Sequence, residues 1–221
     1  MRKSLITLAL AALLLAPALA FGGTNTYIYD WSGDADYLGC FHTFMSADKG
    51  PAYNRTGFSA GDGLLLTKNT IGGYALGFVA TVWGLQEGDQ VTASVWRYDN
   101  MSSMPYFALW AHYNDALMQA ADARGQDMSV DDGNCYGDQR LGNQTGWEQY
   151  SHTWTVEAGH SGLVIDAQVY GSQGAQMYLD DLVLTVPDHA SVRMPNAVYL
   201  AGFNPTPTEA STWSNVKGLF E

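Results

Sequence analysis

The sequence predicts an all-β protein built as a sandwich of two sheets, and three observations predict it. Short segments of alternating apolar and polar residues recur along the chain. Clusters of Gly, Ser, Thr, Asn and Asp separate them. Helical periodicity is almost absent from the body of the chain. Many short alternating runs punctuated by turn residues are the pattern of a β-sandwich.

The segments follow in order. Strands are expected at Thr26–Asp30, Gly63–Thr67, Gly73–Trp83, Gln90–Tyr98, Pro105–Tyr113, Gln149–Val156, Gly162–Tyr170 and Gln176–Val186. The stretch Asn114–Gly146 is long and polar, with one weak strand expected at Ala116–Ala121 and then a loop carrying Cys135. After Pro187 the composition shifts. Residues 188–210 hold three prolines in PNAVYLAGFNPTPTEAS and read as a linker. In residues 211–221, Trp213, Val216 and Phe220 recur at helical spacing behind Ser211 and Thr212, which predicts a short C-terminal helix and a docking partner for it.

The first twenty residues, MRKSLITLALAALLLAPALA, are not part of the fold. Arg2 and Lys3 precede an apolar run that ends in Ala18-Leu19-Ala20, the form of a secretory signal peptide. The mature chain is expected to start at Phe21, to form one sandwich domain over residues 21–187, and to be extracellular or periplasmic. The run is short for a bilayer span of ~20 residues, and no second one is long enough, so no membrane span is expected. Loss of Arg2 and Lys3 leaves 8 basic against 22 acidic residues, a net charge of −14. That balance argues against nucleic acid as a partner. It suits solubility, and also carboxylates that hold Ca²⁺.

Cys40 and Cys135 are the two cysteines. In a secreted chain they are expected to pair, closing a loop of about 95 residues and stabilising by very roughly 4 kcal/mol.

The middle strands have legible faces. Val91, Ala93 and Val95 share one face of their segment, and Phe107, Leu109 and Ala111 one face of theirs. Both sets are natural core faces. Opposite them stand Trp96 and Tyr98, then Tyr106, Trp110 and His112. The intervening DNMSSM suggests that these two segments form an antiparallel hairpin, which would unite the aromatic residues on one outward face. In the strand LVIDAQVY, Asp166, Gln168 and Tyr170 have the same outward parity. Aromatic walls over small residues, with planar polar neighbours, suit a sugar: the apolar faces of a pyranose stack on rings, and its hydroxyls need donors and acceptors. An aromatic outer face equally serves as packing for a loop or as a protein contact.

The stretch QMYLDDLVLTV poses a separate question, since Asp180 and Asp181 interrupt a strand. Adjacent strand residues face opposite ways, so one of the two is expected on the core side. A buried carboxylate there needs a cation or several donors.

Two long stretches resemble carbohydrate-binding modules of the galactose-binding-like jelly-roll type, those appended to endoglucanases and xylanases. In GYALGFVATVWGLQEGDQVTASVWRYDN, Leu85, Gly88, Val91, Ser94 and Trp96 stand at matching places. In GWEQYSHTWTVEAGHSGLVIDAQVYGSQGAQMYLDDLVLTV, so do Trp147, Gln149, Tyr150, Thr153, Asp180, Asp181 and Leu184. The resemblance covers about residues 73–186. It implies a jelly roll that binds polysaccharide without catalysis, cellulose, mixed-linkage glucan or xylan being favoured. It also implies a structural Ca²⁺ held by Asp180 or Asp181 with Asp30 or Asp34; TYIYDWSGDAD stands where the family usually carries a Glu. The alternative at that place is a carboxylate that caps loop amides.

Motifs for catalysis are missing: no Gly-x-Ser-x-Gly, no His-Glu-x-x-His and no phosphate loop occur. The five histidines, His42, His112, His152, His160 and His189, show no ligand spacing. Asp131, Asp132, Glu148 and Asp166 are the acids from which a glycosidase pair would be drawn. A surface or matrix protein of the same fold is the second expectation, and a polysaccharide hydrolase or lyase the third.

Overall fold

The computed structural model describes residues 23–29, 31, 39–40, 45–51, 62–69, 71, 75–98, 106–114, 133, 135–141, 146–194 and 198–201. They form β1 (Thr24–Tyr29), β2 (Gly39–Cys40), β3 (Met45–Pro51), β4 (Asp62–Lys68), β5 (Ala75–Trp83), β6 (Gln90–Tyr98), β7 (Tyr106–Tyr113), β8 (Asp138–Leu141), β9 (Trp147–Thr155), β10 (Gly162–Val169), β11 (Gln176–Pro187), β12 (Ser191–Arg193) and β13 (Val198–Ala201). All eight segments expected as strands are strands. The weak strand expected at Ala116–Ala121, the signal peptide and the C-terminal helix lie outside the described residues.

Two sheets pack face to face. The first is centred on β11, which pairs with β6 along one edge and with β1 and β4, end to end, along the other. Beyond them lie β9, β13 and β3. The second runs β12-β5-β10-β7-β8, with β2 also on the outer edge of β5. Every pairing is antiparallel. Between the sheets lie Leu64, Leu66, Val91, Ala93, Leu109, Tyr150, Leu163, Ile165, Leu179 and Leu184, all essentially without solvent contact. Complete burial of one such aliphatic side chain stabilises by about 1.5–3 kcal/mol.

Strand parity is borne out, but the expected hairpin is not. Val91, Ala93 and Val95 do face Phe107, Leu109 and Ala111 in the core, yet β6 and β7 lie in opposite sheets. Both edges of β6 are taken, by β11 and β9, and both edges of β7, by β10 and β8. Two strands whose apolar faces both point into one core can satisfy that need from opposite sides of it, and here they do.

The domain boundary expected at residue 187 also moves. Residues 191–193 pair with Thr81–Trp83 and residues 198–201 with Asn25–Ile28. Ala190 and Met194 join the core. The first part of the expected linker is therefore sandwich, because its apolar residues complete two sheet edges.

Cys40 and Cys135 do not meet. Cys40 pairs with Gly77 on β5, and the Cys135 amide donates to Ala111 O beyond the far edge of β7. Four interstrand steps of ~4.8 Å separate them, roughly 19 Å, against the ~4.4–6.8 Å that a disulfide spans. Cys135 is a free thiol. Burial, the largest influence, pushes its pKa up from 9.0 to about 11.

The two aspartates of β11 mark a β-bulge. Leu179 pairs with Arg97 and Asp180 with Trp96, and after a register shift Val183 pairs with Ser94. Asp181 is the inserted residue, at φ 48°, a conformation that Asp tolerates better than most residues. The bulge lets Leu179 and Leu182 both enter the core. Neither aspartate then faces the core, contrary to the period-two expectation. Asp180 takes the outer parity of Trp96, and its Oδ1 accepts the Asp181 amide at 2.9 Å.

Candidate functional site

The crossing of β6 and β7 divides the predicted aromatic set. Tyr106, Trp110, His112, Asp166, Gln168 and Tyr170 share the outer face of the second sheet. Trp96 and Tyr98 lie on the outer face of the first. There the register aligns Trp147, Tyr98 and Tyr178 across β9, β6 and β11, with ring centroids 5.5 Å and 6.0 Å apart.

The second sheet's outer face is a buried polar floor with an aromatic rim. Asp166 stands directly across from Trp110, Gln168 from Ala108 and Val164 from His112. On the other side of β10, Asp166 meets Phe78 and Gln168 meets Leu76, because β5 bulges where Ile165 gives way to Asp166. Asp166 and Gln168 are both fully buried. Tyr106, Trp110 and Tyr170 are half-buried, and Tyr136 is 67% exposed. Tyr106 and Tyr170 meet edge to face at 5.7 Å, as do Trp110 and Tyr136 at 5.1 Å. The rim thus comprises two edge-on aromatic pairs, an arrangement favoured by the ring quadrupoles.

Sequence reasoning missed Tyr136. It precedes β8 in a polar stretch with no alternation to reveal it. Its place is set by contacts from both sheets: Trp154 Nε1, reaching from β9, donates to Cys135 O and Tyr136 O, each at 2.6 Å. Gly137 lets the chain pass close to β7, since a Cβ there would lie 1.9 Å from Leu109 O.

The floor holds polar atoms without hydrogen-bond partners. The Tyr170 hydroxyl donates to Gln168 Oε1 at 2.6 Å, which orients the amide and leaves Nε2 unpartnered. Trp110 Nε1, Asp166 Oδ1 and Thr81 Oγ1 are buried and also unpartnered. His112 Nε2 lies 2.9 Å from Asp166 Oδ2, at ion-pair distance but without the angle of a hydrogen bond. Leaving a buried polar group unsatisfied costs about 1–3 kcal/mol. The set offers two N–H donors and a carboxylate acceptor, the complement of hydroxyl groups.

The other acids are placed differently. Arg97 continues the inward parity of β6 and is buried. Its Nη2 donates to Glu148 Oε2 at 3.0 Å and to Tyr150 Oη at 2.9 Å. Glu148 is therefore an ion-pair partner in the first sheet, while Asp166 belongs to the second. Asp131 and Asp132 lie outside the described residues. Among the described residues, no group of three or more His, Cys, Asp or Glu is arranged to hold a metal. The β1–β11 register ends at Tyr29 opposite Leu182, one position short of Asp30 and Asp181. Asp30 lies outside the described residues, and within the bulge the Asp181 amide donates to Asp180 Oδ1. No helix of the described residues is long and apolar enough to cross a membrane.

No family model matches the chain, and no curated protein matches it in sequence. Solved structures do match in fold. The CBM22-2 xylan-binding domain of Paenibacillus barcinonensis Xyn10C superposes with a TM-score of 0.50 at 16% identity, over 72% of this chain and 98% of that one. The CBM22-1 domain of the same protein gives 0.50 at 12% identity, over 72% and 92%. The CBM22-1–GH10 modules of Clostridium thermocellum xylanase 10B give 0.49 at 12%, and the match spans 28% of that longer chain. The protein is a two-sheet β-sandwich with the fold of the two Paenibacillus barcinonensis domains.

Proposed function

We propose that the protein is a non-catalytic polysaccharide-binding protein whose site is the outer face of the second sheet. The observation that carries this reading is the pairing of rim and floor: Tyr106, Trp110, Tyr136 and Tyr170 above the unpartnered Trp110 Nε1, Gln168 Nε2 and Asp166 Oδ1. Sugar rings stack on the first set, over a polar floor that is closed to solvent. The likeness in fold to xylan-binding domains supports a neutral β-linked glycan, with xylan, cellulose and mixed-linkage glucan as candidates. The placement of Glu148 and Asp166 in different sheets supports binding without hydrolysis, which needs two facing carboxylates. The N-terminal segment supports secretion. In affinity electrophoresis, gels containing one of these glycans are expected to retard the protein. Unchanged mobility with every neutral glycan sinks the reading, and release of reducing sugar replaces it with an enzyme.

A second reading, a surface or adhesion protein, is favoured by the aromatic row Trp147–Tyr98–Tyr178 on the opposite sheet. It is preferred if the protein binds no glycan and self-associates in sedimentation.

A further inference from the structure

We infer that Asp166 determines the charge specificity of this face: its buried carboxylate admits neutral glycans and excludes acidic ones. The inference rests on the glycan-binding reading above and deepens it. Asp166 is fully buried, so water does not screen it. Its Oδ1 has no partner, and its Oδ2 has only the angled approach of His112 Nε2 at 2.9 Å. The groups that face it from β5, β7 and β10 are Phe78, Leu76, Thr81, Ala108, Trp110, Val164 and Gln168. Among the described residues of this face, His112 beside Asp166 can become cationic, and Arg193 on the edge strand β12, across β5 from β10, is the one arginine.

Asp166 Oδ1, Trp110 Nε1 and Gln168 Nε2 are closed to solvent, so Asp166 acts through its field on a glycan held at the aromatic rim. The carboxylate of a uronate or a sulfate at the rim sets like charges together at low dielectric. Over ~8 Å at an intermediate effective dielectric, that repulsion weakens binding by roughly tenfold. The protein's net charge, −12 over the full chain, also repels anions, but through solvent, where salt screens it.

The test compares a neutral xylan with glucuronate-substituted xylan, and hydroxyethylcellulose with carboxymethylcellulose, by affinity electrophoresis. Wild type is expected to bind the neutral member of the recognised pair at least about tenfold more tightly. Asp166→Asn, which keeps the shape and one acceptor, should narrow that ratio by about the same factor. Glu87→Gln makes the same change in net charge on the exposed turn before β6 and should leave the ratio alone. In ~1 M salt, where screening acts within ~3 Å, wild type should still discriminate. The salt measurement stands even if Asp166→Asn melts early. The inference is overturned if wild type binds both members equally, if Glu87→Gln narrows the ratio as much, or if salt removes the discrimination. Failure to bind any glycan overturns the glycan reading itself, and this inference with it.

Discussion

Replacing Trp110 with alanine should separate the two aromatic faces. Trp110 is half-buried on the second sheet, edge to face with Tyr136 at 5.1 Å, and its Nε1 is buried without a partner. Loss of one stacking ring removes about 1–1.5 kcal/mol, a weakening of roughly tenfold in Kd. Trp96 lies on the other sheet, so Trp96→Ala should change Kd less than about twofold if the second sheet carries the site. Neither ring is in the core between the sheets, so each variant should lose less than the ~3–5 kcal/mol typical of a deleted core aromatic. Titration calorimetry with a soluble oligosaccharide of the recognised glycan gives Kd, and thermal melting confirms folding. Equal losses of affinity in the two folded variants, or a loss confined to Trp96→Ala, would refute the assignment of the site to the second sheet.

Other outcomes follow from the fold. Thiol titration of the unreduced, denatured protein should find two free thiols, and none would return the disulfide. In the native protein, Cys135 should alkylate slowly until the pH nears 11. Because folding raises this thiol's pKa from 9.0 to about 11, its contribution to stability is complete below pH 9 and is lost as pH rises through 11; a melting temperature that rises across that window would contradict the sign. Truncation after Pro187 removes β12 and β13 together with buried Ala190 and Met194, and should lower the melting temperature by several degrees. A truncated protein as stable as the full chain would restore the linker reading of residues 188–210. For calcium, we propose that Asp181 with Asp30 supplies oxygen ligands beside the bulge. Added Ca²⁺ should then raise the melting temperature over EDTA, and Asp181→Ala should abolish the rise; equal melting in both media leaves Asp180 and Asp181 as bulge residues only.

The sequence by itself determined the elements and their faces. Alternation in QVTASVWRY, PYFALWAHY and LVIDAQVY assigned Val91, Phe107 and Ile165 inward and Trp96, Trp110 and Asp166 outward, because side-chain direction in a strand is a local property of period two. The bulge at Asp181 broke that period, since it depends on which residues β6 sets opposite β11. Which sheet each strand joins was decided only in three dimensions. Edge pairing is set by competition among all strands for hydrogen-bonding partners, and nothing between Tyr98 and Tyr106 reveals that β6 will be claimed by β9 and β11. That competition separated Trp96 and Tyr98 from Trp110. It carried Cys40 four strands from Cys135, and it enlisted residues 191–201 to complete sheet edges. It also brought Tyr136 from a polar loop to the rim of the site and left Trp110 Nε1, Gln168 Nε2 and Asp166 Oδ1 without partners, because whether a buried polar atom is satisfied depends on neighbours distant in the chain.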